Sequence, residues 1–194
     1  MKFPESATAH RYLDGLKGIE IGGSAHNSFG LDTINVDKSG SMDTIFKKEE
    51  HNLCGTMLPV DVVSEGDNLP FDDNSFDFVL SSHVLEHFYD PIKAILEWQR
   101  VARKYVFIIV PHKCRTFDKD RTDTPVSELI DRHYSPIAEY QDADTNDDGD
   151  HWSVWTPTTF LNLMDYFNFN VIHYEHTDDK VGNGFTVIIN VDEN

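Results

Sequence analysis

The sequence predicts an α/β fold in which a mostly parallel sheet of seven strands carries helices on both faces. Three observations support this prediction. Short apolar segments typical of strands alternate along the chain with segments of helical periodicity. Residues 105–110 are apolar throughout, as expected of a strand buried on both faces of a sheet. Two further strands close the chain and predict a C-terminal hairpin, which places one antiparallel strand in the sheet.

Local patterns of apolar, capping and turn residues define the individual elements. The predicted strands are residues 18–21, 32–37, 60–64, 76–80, 105–110, 171–174 and 185–191. The predicted helices are residues 6–16, 42–52, 91–101 and 157–167, with one further helical turn at 126–131. Ser6, Asp90 and Thr156 are the expected N-caps, and a proline follows the last two. Residues 180–184 predict a tight hairpin connection, whereas residues 24–31 are too few for the usual crossover helix.

The composition is that of a globular protein with a large excess of acid. The chain has 194 residues, the length of one domain, and a net charge of −18 from 34 acidic and 16 basic residues. Nucleic acids and anionic membranes are therefore poor partners, and a small or neutral partner fits better. No segment is long and apolar enough to span a bilayer, and we expect a cytoplasmic protein. Cys54 and Cys114 are expected to be free thiols, with one disulfide as the alternative.

The first predicted strand ends in a turn that needs room at the backbone. Glu20 lies between two isoleucines, and Gly22 and Gly23 follow directly. An acid and two glycines in this position suit a ligand that crosses the carboxyl edge of a parallel sheet. A plain strand and turn would give the same pattern, so other segments must decide between the two interpretations.

Two central segments carry a resemblance to a known family. Residues 67–77 read Asp-Asn-Leu-Pro-Phe-Asp-Asp-Asn-Ser-Phe-Asp, and residues 82–87 read Ser-His-Val-Leu-Glu-His. Together with the first strand and its glycines, these segments resemble the class I S-adenosylmethionine-dependent methyltransferases, and the type 11-like group in particular. The resemblance extends from residue 19 to about residue 111. It implies a Rossmann-like fold and S-adenosylmethionine as the cofactor.

The resemblance also implies which residues contact the cofactor. Asp37 matches the acid that takes both ribose hydroxyls, because one carboxylate can accept two charge-assisted hydrogen bonds. The segment after the first strand matches the methionine end, residues 65–67 flank the adenine, and residues 82–83 lie under the sulfonium. The implied cofactor residues are Glu20, Gly22, Gly23, Ser24, Asp37, Glu65, Gly66, Asp67, Ser82 and His83. The family's third glycine is missing here, and His26 or Asn27 is a candidate to replace its support by direct hydrogen bonds.

The acceptor side is predicted from the long polar segment after the fifth strand. Residues 111–155 are expected to form a lid over the acceptor, and His112 or His151 is expected to act as a base toward a hydroxyl. The segments at residues 110–113 and 151–156 more loosely resemble a subgroup linked to glycans, which favours a small-molecule or glycan-like hydroxyl acceptor. The alternative is a binding module without turnover, in which Trp152 or Tyr134 fills the acceptor pocket.

Two sequence patterns resemble metal sites. Residues 83–87 spell H-x-x-E-H, a zinc-peptidase pattern, but the methyltransferase resemblance accounts for all five residues. Residues 144–149 copy the first half of a calcium loop, but Trp155 stands where the bidentate acid is required. We therefore expect no metal. Metal-assisted transfer, with His112, His133 or His151 joining nearby acids, is the remaining alternative.

Overall fold

A computed structural model describes residues 3–24, 29–136 and 151–191. Its strands are β1 (Lys17–Ile21), β2 (Asp32–Asp37), β3 (Val62–Val63), β4 (Phe76–Ser82), β5 (Ala102–Pro111), β6 (Val171–Glu175) and β7 (Gly184–Asn190). They form one sheet in the order β3-β2-β1-β4-β5-β7-β6. The first five strands pair in parallel, whereas β7 runs antiparallel to both β5 and β6. The predicted mostly parallel, Rossmann-like sheet with its C-terminal hairpin is confirmed.

The described helices are α1 (Ala7–Leu13), α2 (Ile45–Cys54), α3 (Pro91–Val101), α4 (Val126–Tyr134) and α5 (Pro157–Tyr166). The starts of α1, α3 and α5 agree with the N-caps predicted from the sequence. The side chain of Ser6 accepts the Ala9 amide, and that of Asp90 accepts two amides at the start of α3. Thr156 forms a reciprocal capping box with Thr159. Because each cap satisfies amides that the first helical turn leaves without partners, the caps fix where the chain turns into each helix.

The side chains of β4 and β5 alternate between two cores, one on each face of the sheet. Val79 and Val106 belong to the larger core, which α3 and α5 cover with large side chains such as Trp98. Phe78 and Phe107 belong to the smaller core, which α1 covers. A strand whose residues are apolar on both faces must be covered on both sides, as the sequence of β5 predicts.

Several elements differ from the prediction: α2 (Ile45–Cys54) begins and ends later than predicted, β5 (Ala102–Pro111) begins earlier, and β3 and the β6–β7 connection differ most. β3 has only two residues, because it lies at the edge of the sheet and pairs with β2 alone. The connection between β6 and β7 spans residues 176–183, so it is longer than the tight connection predicted at residues 180–184. Within it, the Asp178 carboxylate accepts backbone amides from Lys180, Val181, Gly182 and Gly184. These hydrogen bonds to one carboxylate hold the backbone of the loop in a defined conformation, although the loop is longer than a tight turn.

Three sequence predictions fall outside the described residues. His26 and Asn27, the candidates to replace the missing glycine, lie in residues 25–28, and the calcium-like segment at 144–149 lies in residues 137–150. Within the part of the chain that is described, no helix has the length and apolar character needed to cross a membrane.

Candidate functional site

A cavity of about 520 Å³ lies beyond the carboxyl ends of β1, β2 and β4. Strand β1 sits between β2 and β4, so the chain reverses its direction of winding across the sheet at β1. Ligands of open α/β sheets bind in the crevice at such a switch point. The volume is also in the range of pockets that take molecules of nucleoside size or larger. The fold therefore places a cavity of ligand size at the sheet edge where the sequence predicted a ligand site.

Most of the predicted cofactor residues meet at this cavity. Eight of the ten line it: Glu20, Gly22, Ser24, Asp37, Glu65, Gly66, Ser82 and His83. Gly23 borders a smaller neighbouring cavity instead, and the Asp67 carboxylate is paired with Lys93 at 2.8 Å. Residues from four separate strand ends thus converge on one cavity, as binding to a single cofactor would require. Contact between these residues and the cofactor stays a prediction.

The glycine turn after β1 is packed too closely for larger residues. Gly22 has a φ of 65°, and a Cβ atom there would stand 2.7 Å from Val84 Cγ2. The Gly23 amide donates to the Asn35 side chain at 3.1 Å, and the buried Lys47 ammonium donates to the Gly23 carbonyl at 3.2 Å. These contacts explain why the sequence needs glycine here. The backbone of the turn forms the cavity wall, and the side chains of Asn35 and Lys47 hold that backbone in place by hydrogen bonds.

Two buried hydroxyls at the cavity fit a polar ligand. Ser24 Oγ and Ser82 Oγ both belong to cavity-lining residues and have no hydrogen-bond partner among the described residues. Buried polar atoms are nearly always satisfied, so hydroxyls left over at a cavity are ready to bind a ligand. Ser24 lies where the methionine end of the cofactor is expected and Ser82 where the sulfonium is expected. The residues present therefore fit S-adenosylmethionine.

Glu20 is a buried acid within this otherwise apolar strand. Burial raises the pKa of Glu20 to about 7, although the positive charge of Lys180 works in the opposite direction. The carboxyl is consequently shared between its neutral and charged forms at physiological pH. A positively charged ligand group beside Glu20, such as the ammonium of an amino acid, would favour the charged form.

Replacing Glu20 with glutamine is expected to change how stability depends on pH. The pKa of Glu20 is raised from 4.5 to about 7 on folding, so the native state holds its proton more tightly than the unfolded state. The free energy of unfolding should therefore fall by about 3 kcal/mol from this group between pH 4.5 and pH 7, and Glu20→Gln should remove that fall. Urea unfolding across this range measures the effect. Glu49→Gln, which removes an exposed charge from the same cavity wall, is the control. If the free energy of unfolding of Glu20→Gln falls with pH as steeply as that of the wild type, the raised pKa of Glu20 is contradicted.

The far side of the cavity is a cluster of histidines around one buried acid. The Glu86 Oε1 atom lies 3.8 Å from His83 Nδ1, 3.9 Å from His87 Nε2 and 3.8 Å from His151 Nε2. Burial raises the pKa of Glu86 to about 8, and the nearby charge of Asp118 adds to this rise. The sequence did not predict Glu86 and His87 as site residues, although the H-x-x-E-H spacing was the signal that could have found them.

The loop that carries His151 is fastened to the backbone of Glu86. The amides of Trp152 and Ser153 both donate to the Glu86 carbonyl, at 2.8 and 3.2 Å. On the other side, Asp118 Oδ2 lies 2.5 Å from His151 Nδ1, and Arg121 donates to the His151 carbonyl at 2.8 Å. His151 is therefore held from both sides, with Nδ1 on the carboxylate and Nε2 directed toward Glu86.

His112, the other predicted base, does not line the cavity in the described structure. Its Nδ1 accepts the Cys114 amide at 3.1 Å, and its ring packs against His176 and Phe185. Burial lowers the pKa of His112, and the charge of Arg115 lowers it further. A catalytic role for His112 stays a prediction. Because His151 lines the cavity and His112 does not, the geometry favours His151 as the base.

The other aromatic and histidine candidates also lie away from the cavity. Trp152 packs against Tyr89, and Tyr134 is largely exposed beside Phe167. His133 pairs with Asp90 at 2.9 Å near the start of α3. None of these three candidates lines the cavity, whereas Thr116 and the exposed Phe117 do.

The fold and the cavity together define an open α/β protein with a ligand-sized crevice at the switch point of its sheet, an acidic residue at the end of β2 and a glycine turn after β1. Residues 20–110, just under half of the chain, match the family model of the methyltransferase domain. An uncharacterized protein of Methanocaldococcus jannaschii is 33% identical over 103 residues, which are 52% of this chain and 46% of that protein. The chain thus spans about half the length of this curated relative.

Solved structures share the fold at low sequence identity. A SAM-dependent methyltransferase from Methanosarcina mazei has a TM-score of 0.57 and 16% identity, covering 95% of this chain and 96% of its own. A SAM-dependent methyltransferase from Thermotoga maritima, described as a possible histamine N-methyltransferase, has a TM-score of 0.54 and 17% identity, covering 94% and 86%. The match of residues 20–110 to the methyltransferase-domain model, together with the shared fold, supports a class I S-adenosylmethionine-dependent methyltransferase with S-adenosylmethionine as its cofactor.

Proposed function

We propose that this protein transfers a methyl group from S-adenosylmethionine to a hydroxyl of a small-molecule or glycan-like acceptor. The observation that carries the proposal is His151, which Asp118 holds in the same cavity as the predicted cofactor residues. In this proposal the chain is one cytoplasmic methyltransferase domain, and residues 111–155 form the lid over the acceptor. The two free thiols, Cys54 and Cys114, are in keeping with a reducing compartment.

The first task of the protein is to hold the cofactor with its methyl group facing the acceptor. S-adenosylmethionine supplies a methyl group on a positively charged sulfur, and transfer is a displacement that depends mainly on alignment. In our proposal Asp37 accepts hydrogen bonds from the ribose hydroxyls, and Gly22 lets the methionine end approach the backbone. The Gly66 region flanks the adenine, and the packing of Gly66 against Phe88 and Ile21 leaves no room for a side chain there. Each of these contacts positions the cofactor without taking part in bond making.

The second task is to remove the proton from the acceptor hydroxyl. A hydroxyl oxygen is a weak nucleophile until a base takes its proton, and a neutral imidazole is well suited to this at physiological pH. The Asp118 carboxylate at 2.5 Å from Nδ1 keeps the proton of His151 on that nitrogen, which leaves Nε2 as the acceptor. Nε2 lies 3.8 Å from Glu86 Oε1, and both residues line the cavity in which the hydroxyl would lie. His151 is therefore the proposed base, and Asp118 is a positioning residue.

The state of the acceptor pocket favours an enzyme over a binding module. A module without turnover was expected to have its acceptor pocket filled by Trp152 or Tyr134, and neither side chain lines the cavity. Phe117 stands at the cavity instead, with its ring 4.5 Å from that of His151 and most of its surface exposed. An exposed aromatic ring beside the base offers a stacking surface for the acceptor, such as a sugar face or an aromatic ring.

Calorimetric titration followed by a turnover assay tests the proposal. The protein should bind S-adenosylmethionine at one site per chain, and it should release the demethylated cofactor when hydroxyl acceptors are supplied. The assay would use a panel of sugars and small phenols, with matched amines and thiols as controls. Cofactor binding without turnover on any acceptor would favour the binding module, and turnover on amines alone would contradict the hydroxyl acceptor. Absence of cofactor binding would contradict the proposal as a whole.

A further inference from the structure

We propose that Glu86, His87 and His151 form a binding site for one divalent transition-metal ion of the Zn²⁺ type. The three side chains are buried, and their ligand atoms all lie within 4.8 Å of one another. They come from two parts of the chain. Residues 85–87 form a 3-10 turn after β4, and His151 lies at the end of the polar segment beyond β5. This inference departs from the sequence-based expectation of no metal, and it does not rest on the proposed methyl transfer.

The distances from Glu86 Oε1 to the two histidine nitrogens are compatible with three ligand atoms arranged around one metal position. His87 Nε2 and His151 Nε2 lie 3.9 and 3.8 Å from Glu86 Oε1, beyond the reach of a direct hydrogen bond. Ligand atoms at tetrahedral Zn²⁺ are about 3.3 Å apart, given bonds of about 2.0–2.1 Å. A movement of roughly half an ångström would close each of the two contacts with Glu86, and all three ligand atoms lie within 4.8 Å of one another, so side-chain rotations can bring them into coordination.

A second observation at Glu86 also points to a ligand. Its other oxygen, Oε2, is buried and has no hydrogen-bond partner among the described residues. A buried carboxyl oxygen without a partner is costly, because its lost hydration is not replaced. A cation bound through both oxygens of the ionised carboxylate would supply the missing interaction.

Asp118 supplies the support that metal-bound histidines usually have. Histidine ligands commonly donate the N–H of the other ring nitrogen to a carboxylate, which fixes the tautomer and the ring orientation. Asp118 Oδ2 lies 2.5 Å from His151 Nδ1, and Arg121 holds the other oxygen of the same carboxylate at 2.7 Å. The Nε2 atom of His151 is thereby the nitrogen presented to the metal position.

The donor set indicates which ions would bind. Two imidazoles and one carboxylate suit Zn²⁺ and neighbouring transition metals, whereas Mg²⁺ and Ca²⁺ prefer sites made wholly of oxygen. Three protein ligands also leave a coordination position open, as catalytic zinc sites do. Because His87 and His151 line the cavity, that open position could take an acceptor hydroxyl. A bound ion and a proton would compete for His151 Nε2, so base catalysis by His151 belongs to the metal-free protein.

Titration of the chelator-stripped full chain with Zn²⁺ and Co²⁺ tests the site. We expect one ion per chain, a visible Co²⁺ spectrum shaped by nitrogen ligands, and much weaker binding of Mg²⁺. His87→Asn and His151→Asn should each weaken Zn²⁺ binding at least 100-fold, and Asp118→Asn should weaken it about 10- to 100-fold. His133→Asn is the matched control, since His133 also pairs with an acid but lies outside the cluster.

Several results would overturn the inference. It fails if the wild type binds neither Zn²⁺ nor Co²⁺ saturably, or if His87→Asn and His151→Asn bind them as tightly as His133→Asn does. Retained S-adenosylmethionine binding in each variant shows that the variant is folded, and Glu86→Gln provides a further variant if one of the others is not. These measurements need no acceptor and no turnover, so their failure leaves the proposed methyl transfer standing. Turnover with and without a chelator separately reports which form of the enzyme is active.

Discussion

Replacing Asp37 with alanine is expected to weaken S-adenosylmethionine binding by about 10²- to 10⁴-fold. Asp37 ends β2 and lines the cavity, where its carboxylate is placed to accept hydrogen bonds from both ribose hydroxyls. Hydrogen bonds to a charged group contribute about 1.5–3 kcal/mol each, and each 1.4 kcal/mol is a tenfold change in affinity. Asp37→Asn should fall between the wild type and Asp37→Ala, because an amide oxygen accepts a weaker hydrogen bond than a carboxylate.

Calorimetric titration with the cofactor and with its demethylated product measures this loss. Both ligands carry the ribose, so Asp37→Ala should weaken both by a similar factor. Asp32→Ala is the matched control, because Asp32 is an exposed acid at the opposite end of the same strand. Equal affinity of Asp37→Ala and the wild type would contradict the assignment of Asp37 to the ribose. One local effect needs checking by thermal unfolding, since Asp37 Oδ1 also accepts the Ser39 amide at 3.0 Å.

The cofactor side of the site follows from local sequence because the fold does most of the positioning. Gly22 directly follows β1 and Asp37 ends β2, and the carboxyl ends of parallel strands must meet at one edge of the sheet. Once the strands are recognised, the neighbourhood of these residues is fixed without any knowledge of side-chain packing. Asp67 departs from this pattern: it lies in the turn beyond β3, and its carboxylate pairs with Lys93 on α3.

The acceptor side could not be predicted in the same way. His112 and His151 both occur in the polar segment after β5, and nothing in their local sequence separates them. What separates them is a set of contacts between distant parts of the chain, above all the hydrogen bond from the Trp152 amide to the Glu86 carbonyl. The same contacts bring His151 to Glu86 and His87. These two residues belong to a zinc pattern that was set aside in favour of the methyltransferase resemblance, and they gain a third neighbour that the pattern did not contain.

Replacing His151 with alanine is expected to lower kcat by about 10²- to 10⁴-fold with a hydroxyl acceptor, the range typical of removing a general base. The Kd of the cofactor should change little, because His151 lies on the acceptor side of the cavity. The loss in Asp118→Asn should be smaller, on the order of 10²-fold, because an amide can no longer hold the imidazole in the tautomer that leaves Nε2 free to accept a proton. Steady-state kinetics with saturating cofactor, measured after chelation, gives these values.

The dependence of the rate on pH distinguishes a base from a merely structural histidine. An imidazole base must be neutral to accept a proton, so the wild-type rate should rise with pH as His151 loses its proton and then level off. His151→Ala should lose this rise while keeping a low rate that depends on hydroxide. His112→Ala decides between the two predicted bases: if it loses both the rate and the rise while His151→Ala keeps them, the base is His112. The Asp118–His151 hydrogen bond would then only hold the loop at residues 151–153 against Glu86, because a histidine that accepts no proton can contribute to the rate only through the position of its neighbours.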